Sequence, residues 1–178
     1  MLQLSERTLG DWLEHWATVS PDKEYLVYSD RNLRFTWSQF NKRVDNMAKG
    51  LLAIGVEKGT HVGIWAGNVP DWLTFLYACA KIGAVAVTVN TNYKQAELEY
   101  LCQNSDMHTL CIVNGEKDSD FVQMTYNMLP ELKTFSRGHM KSKRFPCMRN
   151  VVYIGQEKFR GMYNTPEILL LGNNIDDE

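Results

Sequence analysis

His61-Val62-Gly63-Ile64-Trp65, Ala84-Val85-Ala86-Val87-Thr88-Val89 and Thr109-Leu110-Cys111-Ile112-Val113 are short runs dominated by apolar and β-branched residues. Between them lie two segments of helical length, about Val69 to Ile82 and about Lys94 to Gln103. Strand and helix alternating at this spacing mark tandem βαβ units. The chain is therefore predicted to be α/β and layered, with a mainly parallel sheet flanked by helices. The first crossover segment, Trp72 to Ala80, is apolar nearly all round, so it should be covered on both sides. Read instead as a membrane span, the run Leu73 to Val89 would place Lys81 and Gly83 inside the bilayer, which argues against that reading.

Upstream, Thr36 is a strong helix start. Gln39 stands at N3 to bond back to the cap, and Phe35 and Phe40 hold the N′ and N4 positions of a hydrophobic staple. Phe40, Val44, Met47, Leu51 and Ile54 keep helical spacing until Gly55 supplies the stop, leaving Lys42, Arg43 and Asp45 to solvent. Before this helix, Glu24 to Ser29 and Leu33 to Phe35 flank Asp30-Arg31-Asn32, as the strands of a β-hairpin would. An earlier amphipathic helix is expected from Thr8, with Leu9, Trp12, Leu13 and Trp16 at helical spacing and Asp11 completing a capping box.

Downstream, a helix is expected from Asp118 to Leu129 and a short strand from Val151 to Ile154. The stretch from Lys133 to Arg149 between them holds no acidic residue and is expected to be a basic, flexible loop. Thr165-Pro166-Glu167 opens a last helix with Pro at N1, followed by Ile168 to Leu171 and a polar tail, Asn173 to Glu178. No internal repeat or low-complexity tract interrupts this order.

A chain of 178 residues with 44% hydrophobic and 22% charged residues can bury a core without disulfide staples. Its net charge of -2 names no nucleic-acid partner. Cys79, Cys102, Cys111 and Cys147 form no C-x-x-C pair and make no cluster with His15, His61, His108 or His139. Zinc and redox-pair chemistry have little support. The N-terminus shows no basic segment followed by an apolar one, so a cytoplasmic location with reduced thiols is expected.

The loop after the first parallel strand, Ala66-Gly67-Asn68-Val69-Pro70-Asp71, is where an α/β sheet would bind a nucleotide. A dinucleotide fingerprint needs three glycines there, and only Gly67 is present. No Walker A loop, G-x-S-x-G elbow or H-E-x-x-H occurs. Asn68 reads as a ligand-facing residue at the sheet mouth or, by type and position, as the N-cap of the next helix. Lys141, Lys143 and Arg144 read as a solvated run rather than an anion site. Trp12, Trp16, Trp37, Trp65 and Trp72 read as core rather than as ligand platforms, and Cys79 as an inert buried thiol.

Several of these segments together resemble the N-terminal portion of the AMP-forming acyl-CoA synthetases, an adenylate-forming superfamily that includes luciferases and peptide-synthetase adenylation domains. Arg34-Phe35-Thr36-Trp37-Ser38-Gln39-Phe40 is similar to the family's L-[TS]-Y-x-E-L motif. Ala80-Lys81-Ile82-Gly83-Ala84 through Asn90 is similar to its L-K-x-G-A-x-x-x-P-x-[ND] motif. Gly55 to Ile64 looks like the family's approach to the sheet, and Glu97-Leu98-Glu99-Tyr100-Leu101 like a helix of fatty-acid and coumarate ligases. The likeness covers most of residues 5 to 155. Phe40, Gln39 and Thr88 depart from the motif's Leu, Glu and Pro. Gln39 still completes a capping box, and Thr88 restores a strand donor.

The resemblance implies a parent enzyme that joins a fatty acid or other carboxylate to ATP as an acyl-adenylate and then to CoA, with Mg as the metal. The family's Ser/Thr/Gly-rich phosphate loop is absent from the 178 residues. Residues 1–178 are accordingly expected to be the N-terminal subdomain of a larger adenylation domain, truncated before that loop and incompetent for adenylation. No residue is nominated as catalytic, cofactor-binding or metal-ligating, and no cofactor is expected to bind these residues alone. Self-association through exposed apolar surface is expected, with no nucleic acid and no transmembrane segment. The alternative is a stand-alone, non-catalytic binding module on the same scaffold; a nucleotide-binding regulator would need a phosphate loop.

Overall fold

In the computed structural model, residues 6–116 and 118–175 are described. The first helix, α1 (Leu9–Val19), starts at Thr8, whose hydroxyl accepts from the Asp11 N–H while the Asp11 carboxylate accepts from the Thr8 N–H. β1 (Glu24–Tyr28) and β2 (Leu33–Thr36) form the expected antiparallel hairpin. α2 (Trp37–Ala53) follows directly, with the Thr36 and Gln39 box formed and the Phe35 and Phe40 rings 6.3 Å apart. β3 (His61–Trp65), α3 (Pro70–Ile82), β4 (Val85–Thr88), α4 (Gln95–Asn104) and β5 (Thr109–Ile112) then alternate as the hydrophobic pattern predicts.

After β5 come a two-residue hairpin, β6 (Gly115–Glu116) with β7 (Ser119–Asp120), and α5 (Phe121–Met128). α5 begins later than Asp118 because the Asp120 carboxylate caps it, accepting from the Gln123 N–H at 2.8 Å. A 3-10 turn at Pro130–Lys133 leads into the basic stretch, then β8 (Asn150–Tyr153), β9 (Tyr163–Asn164) and α6 (Thr165–Gly172). The cap of α6 is Asn164, one residue earlier than its Thr-Pro start suggests, because Asn164 and Glu167 form a capping box. The tail beyond Ile175 lies outside the described residues.

The main sheet has the order β4-β3-β5-β8-β9, every pair parallel. Both faces are covered, and strand alternation divides the core in two. Val62, Ile64, Cys111 and Val152 face Phe40, Val44, Met47, Phe75 and Ile168, from α2, α3 and α6. Trp65, Leu110, Ile112, Val151 and Tyr153 face Leu98 and Phe121, from α4 and α5. Every residue of α3 is buried or half-buried, as its all-round apolarity requires.

α2 and α6 pack in close contact. A methyl group on Gly50 would lie 2.5 Å from Ile168 Cγ2 and 2.6 Å from the Ile168 carbonyl oxygen. Gly172 returns the contact, its added Cβ falling 2.7 Å from the Gly50 nitrogen. Two glycines let the helix backbones meet.

Three surface assignments need correction. Arg43 pairs with Asp71 and donates from Nε to Thr74 Oγ1 at 3.3 Å, so it ties α2 to α3 instead of facing water. Asp45 accepts from Lys81 at 2.6 Å. Of the tryptophans, Trp65 is fully buried, but Trp12 and Trp16 are 37% and 40% exposed on α1. Helical spacing identifies an apolar stripe and cannot say whether a neighbouring element covers it.

Candidate binding cleft at the carboxyl ends of the strands

The crossover after β3 carries α3 to one face of the sheet, whereas the one after β5 carries α5 to the other. Adjacent strands whose connections part in this way leave a crevice outside their carboxyl ends, where open α/β sheets bind ligands. At this end of β3 and β4 lies a cleft of about 550 Å³. Ala66, Gly67 and Asn68 form one side, Thr88 to Thr91 another, and Val69, Trp72 and Leu73 an apolar wall at the start of α3.

The hairpin closes one rim. Tyr28 donates its hydroxyl hydrogen to Asn68 Oδ1 at 3.1 Å. Burial is the first cause raising the Tyr28 pKa, so the phenol remains a neutral donor near pH 7. Asn68 is thus a rim residue and not a helix cap; the N-cap of α3 is Val69, which makes no side-chain cap bond. Pro70 at N1 pre-sets the helical turn. Beneath the rim, Trp65 donates its indole N–H to the Asn90 carbonyl at 3.2 Å and stacks on Phe121 with ring centroids 3.7 Å apart. Asn90 also fixes its own loop, its Oδ1 accepting from the Asn92 N–H at 2.9 Å.

Gly67 brings the loop after β3 against the hairpin after β5. A Cβ there would fall 1.4 Å from Glu116 Oε1, so a side chain at residue 67 would displace the carboxylate. Glu116 comes from the small hairpin after β5, which carries no signal at the strand level in the sequence. Arg43 supports the apolar wall from behind through Asp71 and Thr74.

The cleft offers amides, hydroxyls and apolar surface, a combination that binds and orients a ligand. Its lining includes no cysteine, histidine, lysine or carboxylate. Trp72 alone among the five tryptophans lines it. Lys141, Lys143 and Arg144 are exposed elsewhere, with Arg144 paired to Glu99. Burial pushes the Cys79 thiol up to about 12 inside the core. Tyr28, Glu116 and Thr91 were not marked by local sequence chemistry, whereas Thr88 and Asn90 fall within the second family-like motif. Among the described residues, no group of three His, Cys, Asp or Glu side chains could hold a metal ion.

A parallel doubly wound sheet with a cleft at the carboxyl ends of its strands defines an open α/β scaffold. The model of the AMP-binding enzyme family matches residues 13–157, and the chain belongs to that family. It is 40% identical over 177 residues to YngI of Bacillus subtilis (strain 168), whose name provisionally assigns it as an acyl-CoA synthetase; the match covers 99% of this chain and 32% of that protein. It is 33% identical over 153 residues to the mitochondrial medium-chain acyl-CoA ligase ACSF2 of Bos taurus, covering 86% of this chain and 25% of that one. The chain therefore spans between a quarter and a third of the length of these relatives. The fold is shared with a long-chain-fatty-acid-CoA ligase (FadD1) of Archaeoglobus fulgidus, at a TM-score of 0.73 and 19% identity over 99% of this chain and 32% of that chain.

Proposed function

We propose that this chain is the N-terminal portion of an ATP-dependent, AMP-forming acyl-CoA synthetase, and that its own role is to build the scaffold and one wall of the carboxylate-substrate region. The single observation that carries the reading is the family match across residues 13–157. The cleft supports the division of labour, since its lining can position an acyl or aryl group and holds no lysine to stabilise phosphoryl charge. ATP, Mg and CoA would be engaged by residues outside this chain. Residues 1–178 then form a subdomain of a larger adenylation domain. No helix among the described residues is long and apolar enough to cross a membrane. Four free thiols, three of them buried, support a reducing, cytoplasmic setting.

Pyrophosphate release with a fatty-acid panel tests this reading, run on the 178-residue chain beside a chain extended through a phosphate loop and C-terminal domain. Turnover by the long chain alone supports it. Turnover by the short chain overturns the assigned division of labour, and inactivity of both favours a non-catalytic binding module. Self-association of the short chain is proposed through Leu9, Trp12, Trp16 and Val19, which line one exposed face of α1. Sedimentation should show a concentration-dependent dimer that Trp16→Glu abolishes.

A further inference from the structure

A second cavity, of about 480 Å³, lies away from the cleft, where the loop between β8 and β9 passes Phe135 and the start of α6. Arg137, Lys158 and Arg160 line it against one carboxylate, Glu167, leaving an excess of two positive charges on a chain whose net charge is -2. Glu167 is already engaged: it accepts from the Asn164 N–H at 3.1 Å, pairs with Arg137, and lies 4.0 Å from Lys158 Nζ.

Arg160 is held differently. Its Nε donates to the Lys133 carbonyl at 3.4 Å, and its own carbonyl accepts from the Tyr126 hydroxyl at 2.9 Å. Among the described residues, its two terminal nitrogens meet no acceptor. A guanidinium anchored at its backbone and at Nε, with the outer fork free, is arranged for bidentate capture of an external oxyanion. Two aromatic side chains, Phe135 and Phe159, share the lining with Arg160. Phe135 is 39% exposed, and Phe159 is steadied by Tyr153 at a centroid distance of 4.7 Å.

We propose that this cavity binds a phosphate monoester bearing an aromatic group. Arg160 grips the phosphate, Lys158 adds charge, and Phe135 and Phe159 flank the ring. A phosphate monoester carries about -1.5 to -2 charges near neutrality, which matches the local excess better than a single carboxylate does. The site is separate from the cleft and uses no adenylation chemistry, so its test stands or falls independently of the ligase reading.

The experiment is an amide chemical-shift titration of the whole chain with phenyl phosphate, inorganic phosphate and benzoate. Phenyl phosphate should bind at least about threefold more tightly than either comparator, shifting the Gly161 and Met162 amides. Arg160→Gln should weaken it about tenfold, with partial rescue by Arg160→Lys, because a bidentate contact is lost. Lys158→Gln should cost about threefold through charge alone, and this exposed side chain can be changed without disturbing the loop. Equal affinity for all three compounds, insensitivity to both glutamine variants, or shifts centred on residues 66–69 would each overturn the proposal.

Discussion

The Lys81 ammonium reaches the Asp45 carboxylate at 2.6 Å, although the lysine interrupts a helix that is otherwise apolar nearly all round and its side chain is only 10% exposed. Glu14 Oε1 at 2.7 Å and Asn41 Oδ1 at 2.9 Å complete its three acceptors. One charge therefore joins α1, α2 and α3. The aliphatic stem also packs: an added Cβ on Gly10 would lie 3.0 Å from Lys81 Cγ.

Replacing Lys81 with Met keeps much of the stem and removes the charge. Urea unfolding should show a loss of about 1–3 kcal/mol, below the full cost of breaking a buried pair because Asp45 and Glu14 remain partly hydrated. Glu14→Gln should cost under about 0.5 kcal/mol, since that partner is 60% exposed. Equal losses from both changes would refute Lys81 as the hub.

The contact between α2 and α6 leaves no room for a methyl group. Gly50→Ala should destabilise the chain by about 1–3 kcal/mol through overpacking, despite alanine's better helix propensity. A stabilised variant in thermal unfolding would mean that the helices separate at little cost.

Thiol reactivity should report the core directly. Burial pushes Cys79 and Cys102 up to about 12 and Cys111 well above its ordinary value, so all three stay protonated at pH 8. Cys147 is half-exposed. Ellman's reagent should therefore titrate one thiol in the native chain and four in denaturant.

Acid should loosen the start of α6. Burial pushes the Glu167 carboxyl up, but bonds from Arg137 and the Asn164 N–H, with Lys158 nearby, outweigh it and leave the pKa lowered. A carboxyl whose folded pKa is depressed stabilises the fold above its unfolded pKa. That contribution disappears as pH falls through the folded value. Stability measured from neutral pH down through the acidic range should fall less in Glu167→Gln than in the unmodified chain. Parallel profiles would contradict this role.

The alternation from β3 to β5 was legible because these three strands are largely apolar runs separated by segments of helical length, and the Thr8 and Thr36 caps because their bonds span three residues. The two-residue strands β6, β7 and β9 were not, since so short a segment carries no hydrophobic period. The ties of Arg43 to Asp71 and of Lys81 to Asp45 cross 28 and 36 positions, beyond any local rule. In the cleft, Asn68 was visible as a polar residue after a strand. Its bond to Tyr28, 40 positions away, needed the hairpin to reach the loop after β3.

The amino-acid sequence by itself determined the α/β alternation, the helix starts and the family, because these rest on local periodicity, capping chemistry and ordered motifs. Only the tertiary structure decided which face each helix covers, that Lys81 is buried with partners, that Trp12 and Trp16 remain exposed, and which side chains share the cleft. Those properties depend on three-dimensional neighbours, and chain spacing alone does not specify which distant surfaces will meet.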